Sequence, residues 1–168
     1  MSRAFVREQD GDSAADEYPE RPQSPHPNYL TAAGYSHMEK RKFTLQRELE
    51  SLGDSADAPL SSDRRAQIER DLRYLNGRLE RAIVVDVAAQ PVDEVYFGAR
   101  VEVLDENNVT RAFTLVGEDE ADVAGGRVSW ISPLGQALMG ARVGDSVSWK
   151  RPAGNVELEI RAISYLRD

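Results

Sequence analysis

The spacing of apolar residues changes once along this chain, close to residue 83, and the change separates a helical part from a sheet part. Before that point apolar side chains recur every three or four residues, in two series typical of helices that pack against each other. The two series are Tyr35, Met38, Leu45, Leu49, Leu52 (with Lys42 interrupting) and Ile68, Leu72, Leu75, Leu79, Ala82. Beyond residue 83 apolar and polar residues alternate, which is typical of strands with one buried face.

Residues 30–82 are predicted to form an antiparallel helical hairpin, a short coiled coil. Each arm would have about 20 residues and project roughly 30 Å. Thr31 is the predicted cap of the first arm and Gly53 its predicted end, whereas Ser61 or Ser62 is the predicted cap of the second. The residues between the arms, 53–60, are rich in turn formers.

Residues 83–168 are predicted to form a small α+β domain, an antiparallel sheet with one short helix. Apolar and polar residues alternate around Val101, around Phe113 and over 156–162, which predicts three strands. Residues 105–108 are predicted to form a hairpin turn. The short helix is predicted at 133–139, because Ser132 can cap it and Pro133 suits its first position.

The first 29 residues are predicted to be a flexible leader. They contain four of the eight prolines and six acidic residues against three arginines. Few of them are large and apolar, so burial cannot offset the entropy lost on ordering. The prolines favour an extended run over 21–27.

Charge and composition exclude several classes of protein. With 21 Lys+Arg against 29 Asp+Glu the net charge is −8, which argues against a free nucleic-acid-binding protein. The absence of cysteine excludes a disulfide framework, and two histidines, His26 and His37, argue against a His-rich metal site or a Ser-His-Asp triad. The longest apolar run, 82–85, is too short to cross a membrane, and the N-terminus has no apolar signal region. We therefore expect a cytoplasmic protein without a membrane partner.

Two sets of acidic residues stand out. Asp54 and Asp57 lie three residues apart at the end of the predicted hairpin. They are either ordinary turn residues or carboxylates that complete a Mg²⁺ site held mainly by a partner. The run Glu118–Asp122 is either a solvated loop, which its density of charge favours, or a divalent-cation site.

Several segments resemble the bacterial Gre factors, GreA and GreB, in their order and spacing. The resemblance covers about residues 28 to 165 and is carried by Arg73-Tyr74-Leu75, by Ile83-Val84-Val85-Asp86 and by 95–101, 115–122, 131–140 and 143–145. The helix start at 31–35 is closer to GreB than to GreA.

The resemblance implies an N-terminal coiled coil followed by an FKBP-like domain. It implies a transcription elongation regulator that binds bacterial RNA polymerase at the secondary channel through this C-terminal domain, using the segment Ser132, Pro133 and Leu134. The inserted hairpin would bring Asp54 and Asp57 to a Mg²⁺ ion shared with the polymerase active site. The chain would then hold no stably bound cofactor and would not be an enzyme itself.

Two departures from the family pattern bear on transcript cleavage. Asp57 stands where the family tip has a glutamate, and the tip's asparagine and tyrosine are missing. The predicted arms are also shorter than those of the family by up to about three turns, roughly 16 Å of reach. We therefore expect a regulator without cleavage activity, similar to the Rnk-type proteins, rather than an active cleavage stimulator that uses Asp54 and Asp57.

The hairpin also carries Lys40, Arg41, Arg64 and Arg65, which are either contacts to nascent RNA and the channel wall or members of ordinary ion pairs. We expect a monomer.

Two functions of other classes remain open at this stage. One is an FKBP-like prolyl isomerase with an aromatic pocket drawn from Tyr96, Phe97, Phe113, Trp130, Trp149 and Tyr165. The other is a coiled-coil adaptor for a different partner.

Overall fold

The chain folds into a helical hairpin joined to a sheet domain, and the computed structural model describes residues 18–53 and 59–166. The hairpin consists of α1 (Ala32–Ser51) and α2 (Pro59–Glu80), of 20 and 22 residues. At its base, β1 (Asn28–Leu30) and β2 (Ala82–Val84) pair in parallel. This pairing ties the residues that enter α1 to those that leave α2.

Apolar residues at the predicted positions hold the two arms together. Leu30, Met38, Leu45, Ile68 and Leu75 are buried, and the remaining members of both series pack around them. The cap at Thr31 is confirmed, because the Gly34 N–H donates to its Oγ1 at 3.0 Å. The cap predicted at Ser61 or Ser62 is wrong, since α2 already begins at Pro59. Proline fits the first helical turn, where an N–H is not needed.

The sheet domain has five strands in the order β5-β4-β3-β7-β6. The strands are β3 (Ala99–Asp105), β4 (Thr110–Val116), β5 (Arg127–Ser129), β6 (Ser146–Trp149) and β7 (Val156–Tyr165), with α3 (Pro133–Leu138) between β5 and β6. The α+β class and the single short helix are confirmed, as is the turn between β3 and β4. The sheet is not wholly antiparallel, however, because the short edge strand β5 runs parallel to β4.

The core of the sheet domain lies between the sheet and α3. Alternate residues of β3, such as Val101 and Val103, are fully buried, whereas Glu102 between them is exposed. Leu134 and Leu138 of α3 and Leu158 and Ile160 of β7 complete this core. Within the part of the chain that the structure describes, no helix is long and apolar enough to span a membrane.

The predicted leader, residues 1–29, differs from the prediction over the part that the structure describes, because 18–27 make side-chain contacts and 28–29 already belong to β1. Residues 18–27 have no regular secondary structure, yet their side chains contact α2 and the sheet domain. Glu20 binds Arg73 on α2, and the ring of His26 packs edge-on against Trp130. The composition of the leader indicated that too few apolar side chains were present to hold it in one conformation. The contacts are instead made by charged, amide and aromatic groups, which the apolar count leaves out.

We expect Leu45→Ala to lower the free energy of unfolding by about 2–5 kcal/mol, because Leu45 is 2% exposed in the hairpin core. Leu60→Ala is the matched control, since that side chain is 84% exposed and should change stability by no more than about 0.5 kcal/mol. Urea unfolding followed by circular dichroism measures both. Equal losses in the two variants would contradict this description of the hairpin core.

Candidate functional site

Of the three predicted docking residues at the start of α3, one is exposed and the other two support it. The Ser132 hydroxyl accepts from the Gly135 N–H at 3.1 Å and donates to the Ser129 carbonyl at 2.7 Å, which fixes the start of α3. Leu134 is buried in the sheet-domain core at 4% exposure, so its side chain anchors the helix and is not part of the surface. Pro133 is exposed. Of the three predicted docking residues, Pro133 is therefore the one available for contact.

An aromatic cluster lies beside this segment. The ring of Tyr29 packs against Trp130 at 5.2 Å and against Phe97 at 5.9 Å between centroids. The ring of His26 also packs edge-on against Trp130, at 6.2 Å between centroids. The chain just before α1 is therefore packed on the same part of the sheet domain that leads into Pro133.

A buried arginine joins the hairpin to the sheet domain. Arg78 of α2 is 1% exposed, and its Nε donates to Asp119 at 2.6 Å while its Nη2 lies 3.4 Å from Glu118. The Asn28 side chain in turn donates to the Arg78 carbonyl at 2.7 Å. A buried guanidinium needs such partners, because an unpaired buried charge is strongly destabilising.

Tyr74 adds a hydrogen bond to the same acidic group. Its hydroxyl donates to Asp119 at 2.6 Å. Burial, together with this bond to a carboxylate, raises the pKa of Tyr74 to about 12. The phenol therefore stays protonated at neutral pH and keeps donating to Asp119.

Glu120 completes the joint on the side of α1. Its carboxylate accepts from the Thr31 N–H at 3.1 Å, from the Gly117 N–H at 3.0 Å and from the Thr31 hydroxyl. A Cβ on Gly34 would lie 2.1 Å from Glu120 Oε1, so a larger residue there would displace the Glu120 carboxylate from its present position. We name Arg78, Glu118, Asp119 and Glu120 the joint.

The joint corrects the interpretation of the acidic run as a solvated loop. The run forms a 3-10 turn, Glu118–Glu120, whose three carboxylates all face the hairpin base. The sequence contained one signal for these contacts. Arg78 stands three residues after Leu75, on the helix face that carries the apolar series. Such a residue needs acidic partners, but a helical pattern does not indicate where in the chain they are.

The predicted basic contacts of the hairpin fall into two groups. Arg64 binds Glu48 through two nitrogens at 2.6 and 2.8 Å, and this hydrogen bonding holds the pKa of Glu48 below its usual value. Arg65 donates to the Gly53 carbonyl. Lys40 and Arg41 are exposed on α1. Arg64 and Arg65 therefore have internal partners, and Lys40 and Arg41 are the more accessible cations.

The acidic pair Asp54 and Asp57 lies outside the described residues. Over 18–53 and 59–166, no three His, Asp or Glu side chains are grouped so that they could hold a metal ion. A groove of about 1060 Å³ lies beside α1 at the hairpin base, where Gly34, Val85, Val116 and Glu120 are among its lining residues. None of the six aromatic rings considered for an isomerase pocket lines this groove.

Comparison with known proteins gives consistent results. Residues 90–165 match the family model described as transcription elongation factor, GreA/GreB, C-term. The chain is 33% identical over 155 residues to transcription elongation factor GreB of Neisseria meningitidis serogroup B, with 83% of this chain and 95% of the relative covered. It is 42% identical over 117 residues to transcription elongation factor GreA of Trichlorobacter lovleyi, covering 68% and 73%.

One solved structure, GreA factor homolog 1 (Gfh1) of Thermus thermophilus, is 26% identical and covers 83% of this chain and 99% of its own, with a TM-score of 0.39.

We expect Arg78→Ala to lower the free energy of unfolding by about 2–3 kcal/mol, since it leaves Asp119 and Glu118 without their cation. Arg161→Ala is the matched control. Arg161 is 54% exposed and pairs with Glu159, so its loss should cost no more than about 0.5 kcal/mol. Urea unfolding measures both, and an Arg78 variant as stable as the control would show that the joint contributes little.

Proposed function

Because the chain belongs to the GreA/GreB family of transcription elongation factors, we propose that it acts on bacterial RNA polymerase by docking its sheet domain and inserting its hairpin. The expectation of a Gre-type elongation regulator is confirmed by this membership. Binding to the polymerase, entry into its secondary channel and the location in the cytoplasm are parts of the proposal.

The contacts of the joint are the observation that best supports this function. A hairpin can act at a defined place inside a partner only if its direction is fixed relative to the domain that docks. Here the fully buried Arg78 and the carboxylate of Glu120 connect both arms of the hairpin to one 3-10 turn of the sheet domain. Docking of the sheet domain would therefore also set the direction of the hairpin.

The proposed docking surface is centred on Pro133. It is exposed at the first position of α3, and the Ser132 cap and the buried Leu134 hold it in place. A rigid apolar residue on a fixed helix start loses little conformational freedom on binding. Ser132 and Leu134 would therefore support the contact, and Pro133 would make it.

The reach of the hairpin bears on whether it stimulates cleavage. Its arms of 20 and 22 residues correspond to roughly 30 Å. The alignment with the Neisseria relative spans 155 positions but takes up 83% of 168 residues, or about 139. About 16 positions of that alignment thus lack a residue of this chain.

We therefore propose a regulator that alters elongation without strong cleavage stimulation. Two carboxylates, Asp54 and Asp57, have the hard oxygen donors that Mg²⁺ prefers, but two ligands are too few to hold the ion alone. Any such ion would belong mainly to the polymerase. Catalysis by this chain itself, including prolyl isomerisation, is not part of the proposal, because two of the rings considered for a pocket, Phe97 and Trp130, are packed against Tyr29.

Docking is tested by measuring the binding of fluorescently labelled protein to purified bacterial core polymerase. We expect Pro133→Glu to weaken binding at least about tenfold, a loss of about 1.4 kcal/mol, because it places a charge at the centre of the contact. Asn107→Glu, an equal charge change in the β3–β4 turn, should leave the affinity unchanged. If Pro133→Glu binds as tightly as the unmodified chain, the assigned surface is wrong; if the unmodified chain does not bind, the proposed function is wrong.

Cleavage is tested on stalled elongation complexes. We expect the unmodified chain to change the rate of elongation or the lifetime of pauses while leaving the stalled RNA at full length. Asp54→Ala and Asp57→Ala should then behave as the unmodified chain does. Robust Mg²⁺-dependent shortening of the RNA that disappears in either variant would instead establish the active cleavage stimulator.

A further inference from the structure

Residues 18–27, which we call the strap, lie along α2. The chain follows the helix in the same direction, with Tyr18 near Arg70, Arg21 near Tyr74, and Gln23 beside Gly77. Because the strap is extended and makes contacts through several side chains in turn, it covers a continuous surface of the helix.

The covered surface has a defined form, which we call the α2 seat: Arg73, Tyr74, Gly77 and Arg81. Arg73, Gly77 and Arg81 recur every four positions, and Tyr74, next to Arg73, lies three positions before Gly77, so the four residues cover one side of the helix. The Tyr74 ring is held in a fixed orientation by its hydroxyl bond to Asp119. Gly77 forms a notch, since a Cβ there would lie 3.0 Å from the Gln23 amide nitrogen.

Three kinds of chemical group in the strap contact the α2 seat. The Glu20 carboxylate accepts from Arg73 Nε at 2.8 Å. The planar guanidinium of Arg21 stacks 3.8 Å above the centre of the Tyr74 ring. The Gln23 amide accepts from Arg81 and donates to the Tyr74 carbonyl at 3.1 Å.

An anionic oxygen on an arginine, a planar group on an aromatic ring and a hydrogen-bonding amide are also what a nucleotide strand presents. Single-stranded nucleic acids bind proteins by phosphate contacts to cations and by stacking of bases on aromatic rings. Arg73 and Arg81 are eight residues apart, roughly 12 Å along the helix, with Tyr74 and the notch between them.

The strap is held weakly enough to be displaced. Arg73 is 56% and Glu20 63% exposed in their ion pair, and such exposed pairs contribute little to stability. The acidic neighbour Asp71 lies 3.2 Å from Arg70 and therefore keeps a partner when Arg21 leaves. The neighbours Glu69 and Glu80 reduce the local positive charge, so binding should be moderate and sensitive to salt.

We propose that the α2 seat is a binding site for single-stranded nucleic acid and that the strap is an autoinhibitory cover that imitates such a strand. The inference does not depend on polymerase binding.

The test compares the full-length chain with a full-length strap variant that carries Glu20→Ala, Arg21→Ala and Gln23→Ala. The probes are fluorescein-labelled 12-nucleotide oligo(U) RNA and oligo(dT) DNA at 50 mM NaCl, read by fluorescence anisotropy. We expect the strap variant to bind at least one of the two at least fivefold more tightly than the unmodified chain does. Circular dichroism confirms that the helices remain.

Second-site variants in the strap-variant background assign the gain to the seat. Arg73→Ala with Arg81→Ala should abolish it, whereas Arg161→Ala, which removes an equally exposed arginine of the sheet domain, should leave it intact. Tyr74→Leu should weaken binding by at least threefold and by more than Tyr74→Phe does, because phenylalanine keeps the stacking surface although it loses the bond to Asp119.

Three results would overturn the proposal. One is a strap variant that binds neither probe more tightly than the unmodified chain. Another is a gain that survives the loss of Arg73 and Arg81. The third is a labelled polyglutamate probe that binds the strap variant as tightly as the oligonucleotides do, with no effect of Tyr74→Leu, which would make the seat an unspecific anion patch.

Discussion

The buried guanidinium of Arg78 is the interaction on which the arrangement of this protein depends. It removes a full charge from water, and this is tolerable only because Asp119 and Glu118 come from the sheet domain to meet it. Glu120, the next residue of the same turn, binds the backbone at the start of α1. One short acidic turn thus contacts both arms of the hairpin, so the hairpin and the sheet domain are fixed relative to each other.

Because the joint fixes the hairpin relative to the sheet domain, the exposed features of the two parts keep a constant position relative to each other. The sheet domain presents Pro133 on a capped helix, and the hairpin extends roughly 30 Å from the joint. The two parts also differ in net charge. Residues 30–82 are nearly neutral at +1, whereas residues 83–168 carry −6. A nearly neutral arm can enter a channel lined by nucleic acid more readily than the acidic domain, which would remain outside.

Local pattern was sufficient to predict most of the fold. The apolar spacing located both arms, alternation located the main strands, and the caps at Thr31 and Ser132 follow from residue types that accept backbone N–H bonds. The contacts of the joint and the strap were not predictable in this way. Arg78 and Asp119 are 41 residues apart and Glu20 and Arg73 are 53 apart, and no periodicity links such positions. The parallel pairing of β5 was missed because a three-residue strand carries no direction in its pattern.

The most direct test of the account is the distance between the hairpin and the sheet domain in solution. The chain has no cysteine, so spin labels on Phe43→Cys and Val109→Cys, both exposed positions, report this distance alone by pulsed electron spin resonance. A fixed joint predicts one narrow distance distribution for the otherwise unmodified chain and a clearly broader one when Arg78→Ala is added. A broad distribution before that change, or an unchanged narrow one after it, would contradict the claim that Arg78 fixes the hairpin.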